Sequence, residues 1–218
     1  MSDIAAESQS RSRRRRRGGE AAPKPPFLSE QLEWGAASYL DNPTEPVNEE
    51  GVEAIHEASM RVLEDVGILF LNDDALDVLE AAGCTVDRET KRVRMDRNFV
   101  NEMAAKAPAT FTITPRNPDR EITVGGRQFN FGQVASAPNV MDLDRGRRVG
   151  TRADHQDLLR LSQAYNCIRF NSGYPVEPID IHASIRHLDA HYDMLTLTDK
   201  VIHAYSLGAE RIEDVMEM

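Results

Sequence analysis

The chain is 218 residues long, 40% hydrophobic and 28% charged, with a formal net charge of −10. That length can bury a substantial core in one or two domains, and no run approaches the ~18 apolar residues a membrane span needs. Cys84 and Cys167 are far apart and belong to no metal-spaced cluster, so a reduced, cytoplasmic setting is expected and a disulfide framework is not.

Residues 1–26 hold seven basic side chains (Arg11, Arg13 to Arg17, Lys24) against Asp3, Glu7 and Glu20, a net of +4, which leaves −14 for the remainder. This Ser-, Arg-, Gly- and Pro-rich stretch has no apolar periodicity and reads as a disordered tail. No apolar segment follows the arginines, which excludes a secretory or twin-arginine signal. Five consecutive arginines could bind nucleic acid or anionic lipid electrostatically, but without aromatic or structural context a solubilising tail is the plainer reading, and neither a nucleic-acid nor a membrane partner is expected. Residues 27–47 read as a docking helix and linker, with Leu28, Leu32 and Trp34 as anchors over Phe27–Leu40 and Asn42-Pro43 and Glu45-Pro46 as breaks.

Residues 48–130 read as an α+β region. Asn48 caps a helix over Glu49–Val66, in which Val52, Ile55, Ser59, Val62, Leu63 and Val66 form a stripe suited to a core, and Gly67 stops it. Asn72 caps a second helix with Leu76, Leu79 and Ala82 on its apolar side and Gly83 at its end. Thr85–Val86 and Val93–Met95 flank a polar turn, a hairpin. Asp96 caps a third helix carrying Phe99, Val100, Met103, Ala104 and Ala107, and Pro108 stops it. Phe111 and Ile113 alternate with threonines as a short strand. Ile122–Val124 and Phe129–Phe131 flank Gly125-Gly126 as a hairpin candidate.

Residues 131–218 switch to a β/α rhythm. A turn at Asp144-Arg145-Gly146 precedes a capping-box start at Thr151–Asp154, and Leu158, Leu161 and Tyr165 line the helix it opens. Ile168–Asn171 is a strand; Ile181, Ile185, Leu188, Tyr192 and Leu195 form a helical stripe; Lys200–Ser206 is a further strand, and Gly208 precedes a last helix. Units of this length imply parallel strands with helical crossovers, in a doubly wound sheet or a (β/α)8 barrel.

Four blocks resemble the trimethylamine methyltransferase family: Ala54-Ile55-His56-Glu57-Ala58-Ser59, then Val62 to Gly67, then Ala82 to Asp87, then Ala107 to Phe111 running into Arg116-Asn117-Pro118. Their order and spacing match as well as their content, and looser similarity runs through Phe131-Gly132 and Asp142-Leu143-Asp144 to the end. The resemblance covers roughly residues 45–218, an N-terminal part of the family's length. It implies an α/β fold, a partial (β/α)8 TIM barrel preceded by the small helical and hairpin region. A full barrel needs ~250 residues. About 90 residues carry the repeat here, and the last apparent helix meets Met218 without a stop signal, so a truncated chain is expected.

The resemblance further implies transfer of a methyl group from a methylated amine, trimethylamine or a quaternary amine such as glycine betaine, to the Co(I) of a corrinoid (cobalamin) held by a separate partner protein. A quaternary ammonium already has a neutral leaving group. Members that demethylate trimethylamine use a pyrrolysine whose position lies beyond Met218. The acidic excess outside the tail suits a cationic substrate but is equally normal in a soluble enzyme. A homo-oligomer stays open. The chain alone is expected to be inactive; the alternative is a non-catalytic interaction protein that uses the Arg-rich tail.

Barrel chemistry sits where strands end. The positions that qualify are Gly132 and Gln133, then Asn171, Ser172, Gly173 and Tyr174, then His203, Tyr205 and Ser206. His203 is the candidate catalytic residue, to position or protonate. Tyr174, Asn171, Gln133 and Tyr205 are candidates for substrate binding, with the Tyr174 ring walling a small-amine pocket. Ordinary barrel filling is the competing reading for each. His56 reads as a boundary histidine. His187 and His191 stand at i, i+4, but no HExxH accompanies them and both lie off the apolar stripe, so they read as a solvated face. No phosphate-binding or nucleophile motif is present.

Overall fold

The computed structural model describes residues 31–42, 44–204 and 208–218. The Arg-rich tail, Leu28, Tyr205 and Ser206 lie outside them. The first described segment carries β1 (Ala37–Ser38) and no helix, unlike the docking helix expected there. Leu32 and Leu40 stay exposed, so residues 31–40 have no apolar face to bury as a helix, and Trp34 and Tyr39 make the contacts.

α1 (Glu49–Arg61) starts where its cap dictates: the Asn48 side chain accepts a hydrogen bond from the Gly51 N–H at 2.9 Å. The helix then widens to a π-turn over Val62–Val66 and ends at Gly67, whose φ is +74°. A Cβ there would come within 2.4 Å of the Val93 carbonyl oxygen, so the close approach requires glycine. The apolar stripe is not a core. Val52, Ile55, Val62 and Val66 are 57, 60, 52 and 54% exposed, and Met60 is the buried side chain of the helix.

The next elements make a small core of their own. They are β2 (Ile68–Leu69), α2 (Asp73–Ala81), β3 (Thr85–Asp87), β4 (Arg92–Arg94) and α3 (Arg97–Ala105). The expected hairpin is β3–β4, with Val86 opposite Val93, and β2 adds a third antiparallel strand on the other edge of β4. Asn72 and Asp96 cap α2 and α3. Leu76, Cys84 and Val93 are buried together, with Phe70, Leu79, Val86, Met95 and Phe99 packed around them. Arg97 ties α3 to the first helix through Glu64 at 2.9 Å and Glu57 at 3.0 Å.

β5 (Thr110–Ile113) and β6 (Ile122–Gly125) pair antiparallel, Ile113 opposite Ile122. The hairpin expected around Gly125-Gly126 therefore does not form: β7 (Gln128–Phe129) pairs with β1, and β8 (Phe131–Gln133) leaves for another sheet. The turn bends the chain away because Gly125, at φ +100°, packs onto the Ala109 carbonyl, 2.3 Å from where a Cβ would sit. β9 (Asn139–Asp142) and β10 (Gly146–Val149) form the hairpin that Asp144-Arg145-Gly146 predicts.

The remaining elements are α4 (Arg152–Ala164), β11 (Ile168–Asn171), α5 (Arg186–Leu197), β12 (Val201–Ile202) and α6 (Ala209–Glu217). β8, β11 and β12 are parallel and adjacent in chain order, with α4 crossing between the first two and α5 between the last two. The fold is mixed α/β with small sheets, and no closed barrel occurs among the described residues. α4 begins with the expected capping box of Thr151 and Asp154. Its inward face is Asp154, His155, Leu159 and Ser162, not Leu158, Leu161 and Tyr165. α5 likewise buries His187, Ala190, His191, Asp193 and Met194, while Ile185 and Tyr192 of the expected stripe are exposed. Leu159, Tyr174, Ala190 and Met194 form the apolar centre between the two helices, with Leu197 and Ile202 against it. Among the described residues no helix is long and apolar enough to cross a membrane.

Candidate functional site

The parallel strands bring two expected site residues into contact. Asn171 and Gln133 stand opposite each other in register at the last positions of β11 and β8. The Gln133 amide donates to Asn171 Oδ1 at 2.6 Å, and the Ser162 hydroxyl donates to the same oxygen at 2.8 Å. Asn171 Nδ2 reaches Thr198 Oγ1 at 3.5 Å, and that hydroxyl donates to Gln163 Oε1 at 2.8 Å. Ser172 Oγ donates to the Gln133 carbonyl. Ser162 and Gln163 belong to α4, so the Asn171 amide points into the helical layer, fully buried, and its hydrogen-bonding capacity is used inside the protein. On the opposite face Phe170 covers Gly132, its ring 2.5 Å from where a Cβ would sit, which is why a side chain is absent at that position.

Tyr174 is carried by the loop after β11. It is buried, its ring meets His155 edge-on at 5.8 Å between centroids, and its carbonyl accepts from the Ser136 N–H at 2.7 Å. The His155 ring nitrogens lie 3.3 Å and 3.4 Å from the carbonyl oxygens of Val176 and Ala190, and burial pushes its pKa down. The ring packs edge-on against Tyr174 in a setting where burial disfavours the charged imidazolium.

Tyr174 also walls a pocket of about 250 Å³ with Glu177, Ala183, Arg186, His187 and Arg211. Glu177 faces Arg186 at 3.6 Å, and His187 Nε2 lies 2.7 Å from Asp214 Oδ2 of α6. The buried His187 Nδ1 has no hydrogen-bond partner. His187 and His191 are thus buried rather than solvated: α5 packs against both α4 and α6 and covers their face. Burial lowers the His191 pKa. The pocket offers an aromatic wall, a carboxylate and two guanidinium groups, which suits a small ligand bearing both charges.

His203 follows β12 and is exposed; it does not line this pocket, and Tyr205 lies outside the described residues. The structure therefore joins Gln133 to Asn171 and places Tyr174 in a separate pocket. Glu177, Arg186 and Arg211 escaped the sequence reading. Their one signal was a carboxylate set between Pro175 and Pro178 directly after a strand end, where loops are held stiffly.

The trimethylamine methyltransferase (MTTB) family model matches residues 9–218. The chain is 36% identical over 172 residues to glycine betaine methyltransferase of Desulfitobacterium hafniense (strain Y51), covering 79% of this chain and 36% of that protein. It is 27% identical over 172 residues to trimethylamine methyltransferase MttB of Desulfitobacterium hafniense (strain DSM 10664 / DCB-2), covering 78% and 34%. With proline betaine:corrinoid methyltransferase of Eubacterium limosum the identity is 31% over 138 residues, covering 62% and 27%. The chain spans about a third of the length of these relatives. With 210 of its 218 residues inside the family match, the chain belongs to the trimethylamine methyltransferase family.

Proposed function

We propose that these residues belong to an enzyme that moves a methyl group from a methylated amine to a corrinoid carried by a partner protein. The observation that carries this reading is the family match over nearly the whole chain, together with relatives named for glycine betaine, trimethylamine and proline betaine. Held by a partner protein, a corrinoid would supply a Co(I) nucleophile for the methyl carbon, the amine leaving with the C–N electron pair. The Tyr174 pocket, at about 250 Å³, is smaller than a corrinoid ring, which agrees with a corrinoid held elsewhere and presented from outside.

The chemistry of the pocket favours a betaine over trimethylamine. The Tyr174 ring and the Glu177 carboxylate suit a quaternary ammonium, and Arg186 and Arg211 suit the carboxylate a betaine adds. His203 at the β12 end is proposed to orient the substrate or a proton from the strand-end side. Gln133 and Asn171 hold β8 and β11 in register and set the strand ends from which such groups project. The three parallel strands in chain order are consistent with the first units of a (β/α)8 barrel, the fold the resemblance implies.

Because the chain spans about a third of its relatives, the activity is proposed for a polypeptide of the family's full length that contains these residues. Such a polypeptide, mixed with glycine betaine and a Co(I) corrinoid protein, is expected to consume the Co(I) absorbance. Tyr174→Ala is expected to lower kcat/KM at least about tenfold, roughly the effect of losing one cation–π wall at a desolvated site. Unchanged Co(I) absorbance with glycine betaine, proline betaine and trimethylamine alike would sink the reading. The 218-residue chain by itself is expected to give no turnover.

A further inference from the structure

At the opposite end of the parallel strands from Asn171 and His203, three cations meet the chain's single tryptophan. Arg169 Cζ lies 4.2 Å from the Trp34 ring centroid, Arg120 Cζ 4.4 Å, and Lys200 Nζ 5.4 Å. Arg169 is the second residue of β11, and Lys200 immediately precedes β12, so both stand where the strands begin.

The three are not alike. Lys200 spends its three donors on the carbonyl oxygens of Ser162, Tyr165 and Ile168, the last two at 2.7 Å, and thereby ties the end of α4 to β11. Arg120 has a carboxylate, Asp199, at 3.8 Å. Asp199 is itself shared with Asn117 at 2.7 Å and Gln163 at 2.8 Å. Arg169 has one carbonyl and, among the described residues, no carboxylate. It is 5% exposed, its Nη2 donates to the Glu121 carbonyl at 3.3 Å, and its Nε and Nη1 are buried with no hydrogen-bond partner. Arginine is charged at any ordinary pH, and a buried guanidinium normally finds an anion or carbonyls for all its edges. Burial, with Arg120 close by, pushes the pKa of Arg169 down and that of Lys200 to about 8, the directions expected where positive charge is under-compensated.

We propose that Arg169, with Arg120 beside it, binds a small oxyanion, a phosphate or a carboxylate, along an edge of its guanidinium, whose face is stacked on Trp34. The anion would take one edge of the Arg169 guanidinium, through Nε or Nη1, and balance three cations that have one carboxylate, Asp199, among the described residues. Glu33 and Gly35 on either side of Trp34 are exposed, nothing lies within 4 Å of a Cβ built on Gly35, and the indole stacks on the cations. The site is distinct from the Tyr174 pocket and does not depend on the methyl-transfer reading.

As the chain's one tryptophan, Trp34 reports on the site directly. The 218-residue chain is titrated with inorganic phosphate and, separately, with sodium acetate, at ionic strength held constant with sodium chloride, and indole fluorescence is followed. A saturable change with phosphate, acetate or both, at least fivefold weaker in Arg169→Gln, is expected; which anion saturates first names the class. The same anion is expected to raise the Tm of the wild-type chain. If Arg169→Gln does not fold, Arg120→Gln, whose side chain is partly exposed, is expected to weaken binding in the same assay. No saturable change with either anion, a response that chloride reproduces, or equal affinity in the folded variants would overturn the proposal.

Discussion

Two parts of the chain bury opposite chemistry. In residues 48–130 the buried centre is apolar: Leu76, Cys84 and Val93 close a core under a three-stranded antiparallel sheet, and the charges remain at the surface. From Asp154 to Lys200 the buried positions include ten polar or charged side chains, among them Asp154, Asn171, Asp193 and Lys200, each of these four hydrogen-bonded to neighbouring side chains or carbonyls around a small apolar centre. The first part is held by area removed from water, so volume is its sensitive quantity. The second is held by partners, and breaking one partner strands another in a medium that cannot solvate it.

Substitutions that remove volume in the first part and partners in the second sharpen this contrast. Leu76→Ala carries the largest expected cost, about 3–5 kcal/mol of unfolding free energy, because Leu76 is 1% exposed and its neighbours come from both sheet and helices. Equilibrium urea denaturation reads it; a cost under about 1 kcal/mol would mean the site collapses and the core is not the close-packed one described. Asp193→Ala comes next, at about 2–3 kcal/mol. Asp193 is buried and accepts from Arg152 at 2.8 Å and Gln156 at 3.0 Å, but Arg152 keeps Asp189 as a second partner, which moderates the loss. Replacing Arg152 together with Asp193 by apolar residues should recover part of that loss, whereas no second change of charge is expected to rescue Leu76→Ala.

Acid tests the second part from another side. The Arg148 guanidinium hydrogen-bonded to Asp154 lowers the pKa of that carboxyl well below the usual range, against the opposing effect of burial and with help from Thr151. A depressed folded-state pKa stabilises the fold at pH above the unfolded value, near 3.8, and that contribution fades as pH falls toward the folded one. Asp154→Asn should therefore be less stable than wild type at neutral pH, with the gap narrowing below about pH 4. A gap that stays constant down to acid unfolding would detach Asp154 from the ion pair. Smaller again is Asn72→Ala, about 1 kcal/mol, for loss of the cap that accepts the Ala75 N–H at 3.0 Å.

The same contrast explains what the sequence made legible. Caps and stops depend on a few local residues, and Asn48, Asn72, Asp96, Thr151 and Gly208 each mark a helix start in the structure. The β9–β10 turn and the order of the β/α elements are local as well. Which face of a helix is buried is not local. Apolar periodicity put Leu161 and Tyr192 inside and His187 and His191 outside, and the packing does the reverse, because ion pairs and buried amides cover the inner faces of α4 and α5. No pattern of apolar residues encodes a polar core. Of the site, strand-end logic singled out Tyr174, Gln133 and Asn171 one by one but not the Gln133–Asn171 hydrogen bond, and Glu177, Arg186 and Arg211, assembled from a loop and two helices, have no shared motif. The Gly125-Gly126 hairpin failed for a related reason: the turn is real, but β5 offers β6 a four-residue partner and takes the pairing.

The smallest expected effect probes the apolar stripe of α1. Ile55 is 60% exposed, and its helix is fixed at the N-terminus by Asn48 and at the far end by Arg97 through Glu57 and Glu64. Ile55→Ser in the 218-residue chain should change the unfolding free energy by less than about 0.5 kcal/mol, the range of surface substitutions. A polypeptide of the family's full length that contains these residues makes the informative partner for the measurement. If further structure packs on Val52, Ile55, Val62 and Val66 there, the same substitution should cost about 1–3 kcal/mol, as the loss of a buried aliphatic side chain does. Two equal small values would mean that the stripe is surface in both settings, and a large cost in the 218-residue chain would mean that α1 already packs on something in it. The pair of numbers thus decides whether this region owns one apolar core or contributes to a second.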